Sequence, residues 1–431
     1  MTVEQKERLP RVAVVTSGYL PVPNVMGGAV EALDMMMVRE NEKASNFDFT
    51  VFSTWTDEAQ QAAEAGRFSH TRFHFIKSPW FVRAADHGIY ALAKYVLRKR
   101  KLMSYRYIVQ RLWYIRKVAK ALATVGVDGT TPYDKVMIEN HATLFMTMQK
   151  YGNAERYAGK AYYHLHNEVT NDFGCKKEIS QVRKVLGVSN YIVGTLDKFL
   201  REHGEPGLRE DQKAVWRNGV DASRFGTDEA KEKGHALRMK WRIPDGDIVF
   251  LFSGRLTEEK GAEQLLQAFK QVTATNRHTW LVIAGAFFFN SDIASPFEQR
   301  LHRLAEDPVA KDRIFFTGFV DYKDMPAVYE AADICVLPSI WDDPAPLAVI
   351  ESIVSGKPLI TTQSGGIPEY ASEHCAIILD RNAQLENKLV EAMNRLIVDS
   401  VAREKMCKAA ATSRIFLDAQ NYIKQLETLL K

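Results

Sequence analysis

Short β-branched apolar runs alternate with longer helix-patterned stretches along this chain, and the alternation happens twice. The first series holds RVAVVTS (11–17), FTVFST (49–54), RFHFI (72–76), DKVMIEN (134–140), AYYHLH (161–166) and KVLGVS (184–189). The polar, glycine-containing stretch REHGEPGLREDQ (201–212) then reads as a linker. The second series holds DIVFLFSG (247–254), TWLVIAG (279–285), RIFFTGF (313–319), DICVLPS (333–339) and KPLITT (357–362). Alternation of strands with helical patterns is the signature of parallel α/β sheets. The chain's 431 residues exceed one ordinary core. The expected fold class is therefore α/β, with two doubly wound Rossmann-like domains facing across a cleft.

Composition narrows the function classes. The net charge of +4 is too small to predict nucleic-acid binding by itself. Cys175, Cys335, Cys375 and Cys407 show no metal-ligand spacing and suit a reducing compartment. No run approaches the length of a membrane span, and the charged start MTVEQKERLP lacks a secretory apolar core. A cytoplasmic protein is expected, with any membrane contact peripheral.

Ligands of open α/β sheets bind beyond the carboxyl ends of the strands. Gly27 and Gly28 follow the first strand and precede a helix. They suit close approach of an anionic ligand to backbone N–H groups, or else a plain flexible loop. Neither a dinucleotide fingerprint nor a P-loop is present. Arg255 and Lys260 in FSGRLTEEKG suit a diphosphate, as a fork and a point charge, or are solvated surface cations. His164 and His166 share a strand face, and Glu168 has the right parity, but no further ligand nearby completes a metal set. In SIWDDPAPLAVIES, Asp343 lies in a loop and Glu351 about two helical turns on, too far to share a proton. Distinct ligand-binding roles follow, with Asp342 a bystander and no metal.

The segments GGAVE, HLHN, GVSNY, NGVD, SGRLTEEKG, FTGFV, YEAADICVLPS, the D-x7-E stretch and GKPLITTQSGGIPE occur in this order between residues 27 and 369. In that order the chain resembles the retaining GT-B glycosyltransferases with an E-x7-E motif (glycosyltransferase family 4-like), of the bacterial surface-polysaccharide type. The resemblance implies an acceptor-binding domain over 1–207, completed by about 412–431 where a C-terminal helix crosses back. It implies a nucleotide-sugar-binding domain over 208–411.

Carried over by position, Arg255 and Lys260 bind the diphosphate and stabilise the leaving group, and His166 lies beside the sugar. Gly27 and Gly28 lie near the diphosphate. Glu351 binds the ribose, and Asp343 with Ala345, Pro346 and Leu347 binds the donor sugar. Phe319 and Val320 meet the base. Glu139, Asn140 and Asn167 are the acceptor-side candidates. No metal or cofactor is implied, and UDP is the expected nucleotide. Two positions depart from the family pattern. Asp343 stands for the usual glutamate, and Ala345-Pro346-Leu347 stands for the common F-G-L.

The stretch 94–120 holds ten Lys or Arg and no acid, with Ile108, Leu112 and Ile115 at helical spacing. It is a solvated helical hairpin with one packed face, or a contact for anionic lipid at the inner membrane face. A glycan or lipid-linked acceptor is expected, and nucleic acid is not. The competing functions are a GT-B nucleotide-sugar 2-epimerase and a non-catalytic sugar-nucleotide-binding subunit.

Overall fold

The computed structural model describes residues 8–96, 106–125, 130–286 and 295–431. They form two compact units. The first is Met1–Trp216 with Ile423–Lys431, and the second is Arg217–Tyr422. Among the described residues no helix is long and apolar enough to cross a membrane.

The first unit holds β1 (Arg11–Val15), β2 (Asp48–Thr54), β3 (Thr71–Ile76), β4 (Lys135–Glu139), β5 (Ala161–Leu165), β6 (Lys184–Gly187) and β7 (Lys213–Val215). They make one sheet in the order β3-β2-β1-β4-β5-β6-β7, and the pairings are parallel. Val12 to Val15 and Val136 to Ile138 are fully buried, because central strands of such a sheet are covered on both faces. The order reverses between β1 and β4, which opens a crevice at their carboxyl ends.

The second unit holds β8 (Ile248–Ser253), β9 (Thr279–Ala284), β10 (Ile314–Gly318), β11 (Ile334–Leu337), β12 (Leu359–Thr362) and β13 (Ala376–Leu379). Its order, β10-β9-β8-β11-β12-β13, reverses between β8 and β11. The core gathers Phe250, Phe252, Leu265, Phe269, Leu281, Ile350 and Ile360, all buried.

Two local readings change. Residues 201–212 are fastened within the first unit rather than spanning open solvent. Leu208 N–H donates to Asp197 at 2.5 Å, and Gln212 Nε2 donates to the carbonyls of Val182 and Ser180 at 2.7 and 3.0 Å. That anchoring delivers β7, too short to read in the sequence, onto the edge of β6. The basic stretch 94–120 is described only outside residues 97–105. Its helix Ile108–Leu122 buries Arg111, Tyr114, Ile115, Val118 and Leu122, while Leu112 is 47% exposed. The packed face is turned from the expected one because Tyr114 points inward, its hydroxyl donating to the Phe52 carbonyl at 2.7 Å. Arg116, Lys117 and Lys120 stay exposed.

Candidate active site

In the second unit the loops after β8 and β11, the strands at the reversal, are stitched together. Ile340 N–H donates to the Glu259 carbonyl at 2.9 Å, and Ser339 Oγ donates to the same oxygen at 3.3 Å. Gly261 makes this approach possible. Its φ is +75°, and a Cβ there would lie 1.9 Å from the Pro338 oxygen. Gly261→Ala is expected to cost about 3 kcal/mol of stability, from left-handed strain plus overpacking. An unchanged midpoint in urea denaturation would show that the two loops are not pinned there.

This stitching places Lys260 against Asp343, Nζ donating to Oδ2. Lys260 Nζ also lies 5.8 Å from the centre of the Trp341 ring. The Lys260 side chain is 20% exposed and that of Asp343 8%, so the pair sits at the edge of solvent. Arg255, on the same loop, is exposed and makes no ion pair among the described residues. Asp342 has a structural part that the sequence did not show. It accepts the Gly365 N–H at 3.0 Å and pairs with Arg381 at 2.9 Å, tying the Gly365–Gly366 turn to its own loop.

Pro346 precedes the helix Leu347–Val354, whose first turn it can enter without losing a backbone bond. The Ala345 carbonyl accepts from Asn218 Nδ2 at 3.3 Å. Glu351 lies on the second turn and is buried. Its Oε2 accepts from the Tyr329 hydroxyl at 3.0 Å, and that hydroxyl shares a 2.7 Å bond with Ser253 Oγ. Burial pushes the Glu351 carboxyl up to about 7, against the Tyr329 hydrogen bond and the Arg224 charge. Arg224 stacks on Tyr322, its Cζ 4.3 Å from the ring centre. Sequence reading missed Tyr329, Ser253 and Arg224. The tyrosine was in view within YEAADICVLPS, but nothing local showed that it faces Glu351. Phe319, 39% exposed, and Val320 follow β10.

In the first unit Gly28 caps the helix Ala29–Ala44 at φ +98°. A Cβ at Gly28 would lie 2.2 Å from a Glu31 carboxylate oxygen. Glu31 is itself held by Ser17 Oγ at 2.8 Å, so an acid already stands beside the N–H groups of this helix end. Gly27 precedes it, also at positive φ.

The sequence offered His164 and His166 no metal-completing partner, but β4 supplies Glu139. Glu139 Oε2 lies 2.9 Å from His164 Nδ1 and 3.5 Å from His166 Nε2, and the two nitrogens are 3.2 Å apart. All three residues are buried, and their ligand atoms fall within 4.8 Å, a spacing that suits a shared proton or a cation. Burial lowers His164 to about 3 and His166 to about 4, and raises Glu139. Asn140 Oδ1 accepts the N–H groups of His166 and Asn167 at 3.2 and 3.0 Å, which shapes the turn after β5. Asn167 itself is exposed.

Residues 235–413 match the family described as glycosyl transferases group 1. The matched residues lie within the second unit. Among curated relatives, spore coat protein SA of Bacillus subtilis is 28% identical over 53% of this chain and 59% of its own length. A GDP-mannose-dependent monoacylated alpha-(1-6)-phosphatidylinositol monomannoside mannosyltransferase of Corynebacterium glutamicum is 28% identical over 57% of this chain and 61% of its own length. The chain thus spans about 60% of the length of the curated relatives it matches. A crystal structure of Anabaena HepE in complex with UDP-glucose superposes with a TM-score of 0.67. It is 16% identical and covers 97% of this chain and 99% of that one. The fold is GT-B.

Proposed function

We propose that the protein is a retaining, metal-independent glycosyltransferase. It moves a hexosyl group from a nucleotide sugar, UDP-sugars first, to a glycan or lipid-linked acceptor in cell-surface polysaccharide synthesis. One observation carries the reading. In a glycosyl transferases group 1 domain, the strand reversal brings Lys260 onto Asp343, with the buried Glu351 eight residues further on. An ammonium there meets a diphosphate, and the two carboxylates accept from hydroxyls at the two ends of a nucleotide sugar.

Arg255, exposed on the Lys260 loop, is proposed as the second diphosphate contact. Lys260 and Arg255 together supply the positive charge that a metal would otherwise bring. The leaving phosphate is proposed to assist deprotonation of the acceptor on the same face, so configuration is retained. Roles for Gly27, Gly28, His166, Phe319, Val320, Ala345, Pro346 and Leu347 toward the donor, and for Glu139, Asn140 and Asn167 toward the acceptor, belong to the same proposal. The second unit is proposed to hold the donor and the first the acceptor. The relatives support a nucleotide-sugar donor without agreeing on the base, since one is named for GDP-mannose and another was crystallised with UDP-glucose.

A cytoplasmic enzyme working at the inner membrane face is proposed, with contact through the exposed cations Arg116, Lys117 and Lys120. Flotation with anionic vesicles at low salt is expected to carry the protein upward, and salt is expected to release it. Protein left at the bottom at low salt removes the membrane claim. For the donor, thermal shift against UDP-, GDP- and dTDP-sugars is expected to single out one nucleotide, with UDP first. A flat response to all three would sink the reading.

A further inference from the structure

The helix Ile108–Leu122 carries one basic residue on its buried face, and it lacks a counter-charge. Arg111 is 3% exposed. Its Nη2 donates to Thr143 Oγ1 at 2.8 Å, but Nε and Nη1 have no hydrogen-bond partner. Among the described residues no carboxylate pairs with it. Asp86, the buried acid at the start of this helix, is taken up by the N–H groups of Val109 and Gln110 at 2.8 and 3.0 Å. An unpaired buried cation is costly, and proteins normally pair it or let it lose its proton. A guanidinium cannot lose its proton. Arg111 therefore sits as a charge waiting for an anion.

Its place in the fold says where that anion comes from. Tyr19 follows β1, and its ring lies 4.5 Å from the Arg111 Cζ. His141 follows β4, packs edge-on to Tyr19 at 5.3 Å, and precedes Thr143. β1 and β4 are the two strands between which the sheet order reverses. Ligands of open α/β sheets enter at that crevice. Burial, with help from the Arg111 charge, holds His141 down at about 4, so at neutral pH it is uncharged beside the guanidinium. Tyr19 is half exposed, and its ring lies against the guanidinium on the solvent side of this buried charge.

We propose that Arg111, flanked by Tyr19, His141 and Thr143, is the anchor of an oxyanion site in the first unit that binds a phosphate group of the acceptor. The word acceptor rests on the transferase reading above; the oxyanion site does not. The N–H groups left on Nε and Nη1 project from different edges of a rigid plane and can donate to phosphate oxygens in fixed directions, whereas an ammonium offers only a point charge.

The test titrates inorganic phosphate into the full chain with UDP held saturating, read by calorimetry and by the melting temperature. The wild type is expected to bind, and Lys260→Ala to bind equally. Arg111→Met is expected to lose at least about tenfold in phosphate affinity while melting no lower than wild type without phosphate, since it removes an unpaired buried charge. Arg111→Lys keeps a cation in the same space and is expected to bind about tenfold more weakly, so it decides the matter if the methionine variant does not fold.

Equal phosphate affinity in wild type and either Arg111 variant overturns the site, as does a wild type that binds no phosphate. If UDP displaces the phosphate, the group belongs to the donor and the acceptor assignment falls. Failure of this site with turnover intact leaves the transferase reading standing. Phosphate binding at Arg111 in a chain that transfers no sugar overturns the acceptor assignment instead.

Discussion

Lys260→Ala is expected to lower turnover at saturating donor about 100- to 1,000-fold, the usual loss when one preorganised charge or donor facing a leaving group is removed. The proposal gives Lys260 this weight because its ammonium is already fixed before any ligand arrives. The Gly261 turn brings it to the β11 loop, and Asp343 holds it there. A donor diphosphate would then meet an oriented cation with little reorganisation. The same substitution leaves Asp343, 6% exposed, without its cation, and a stability loss of about 1–3 kcal/mol is expected alongside. Turnover is therefore measured well below the melting temperature of the variant. Transfer rates equal to wild type under those conditions would remove Lys260 from the chemistry.

Glu351→Ala is expected to weaken nucleotide-sugar binding by about 10- to 100-fold, the worth of one or two hydroxyl bonds to a carboxylate. Its pH dependence is the sharper signature. Burial raises this carboxyl from 4.5 to about 7. The folded protein thus disfavours the ionised form, so Glu351's contribution to stability declines as pH rises from the unfolded value near 4.5 through about 7. Donor binding runs the other way, because the ionised carboxylate is the better acceptor of two ribose hydroxyls. Affinity is expected to fall as pH drops below about 7, approaching tenfold per unit, and Glu351→Gln is expected to flatten the curve. A donor affinity independent of pH between 5.5 and 8 in the wild type, on the order of no change across that range, would detach Glu351 from the ligand.

Much of the second unit was legible in the sequence because its strands are continuous apolar runs ended by glycine or polar residues. Asp343 and Glu351 could be placed, one in a loop and one on the second turn of a helix, from the strand ICVLPS and the helix LAVIESIVSG. What stayed hidden depends on contacts between distant segments. Asp342 reads as a spare acid until Gly365 and Arg381 are brought to it. The Tyr329 bond to Glu351 joins residues 22 apart, across a turn and a strand. Glu139 meets His164 and His166 only because β4 and β5 are neighbours in register, Glu139 opposite His164. The inward face of the helix Ile108–Leu122 was misread because Leu112 is the more apolar side chain, while the hydroxyl of Tyr114 finds buried partners that Leu112 cannot use. β7 escaped because a run of three residues carries too little pattern, and β13 was missed as well.

The central claim is sugar transfer, and a turnover assay on the purified chain tests it most directly. Nucleotide sugars are supplied one at a time with a lipid extract as acceptor, and the products are followed by NMR. The account predicts that nucleoside diphosphate is released in step with a new glycosidic linkage of the donor's own anomeric configuration, without added metal and only when acceptor is present. A linkage of inverted configuration, isomerised nucleotide sugar without acceptor, or no product from any donor would contradict it.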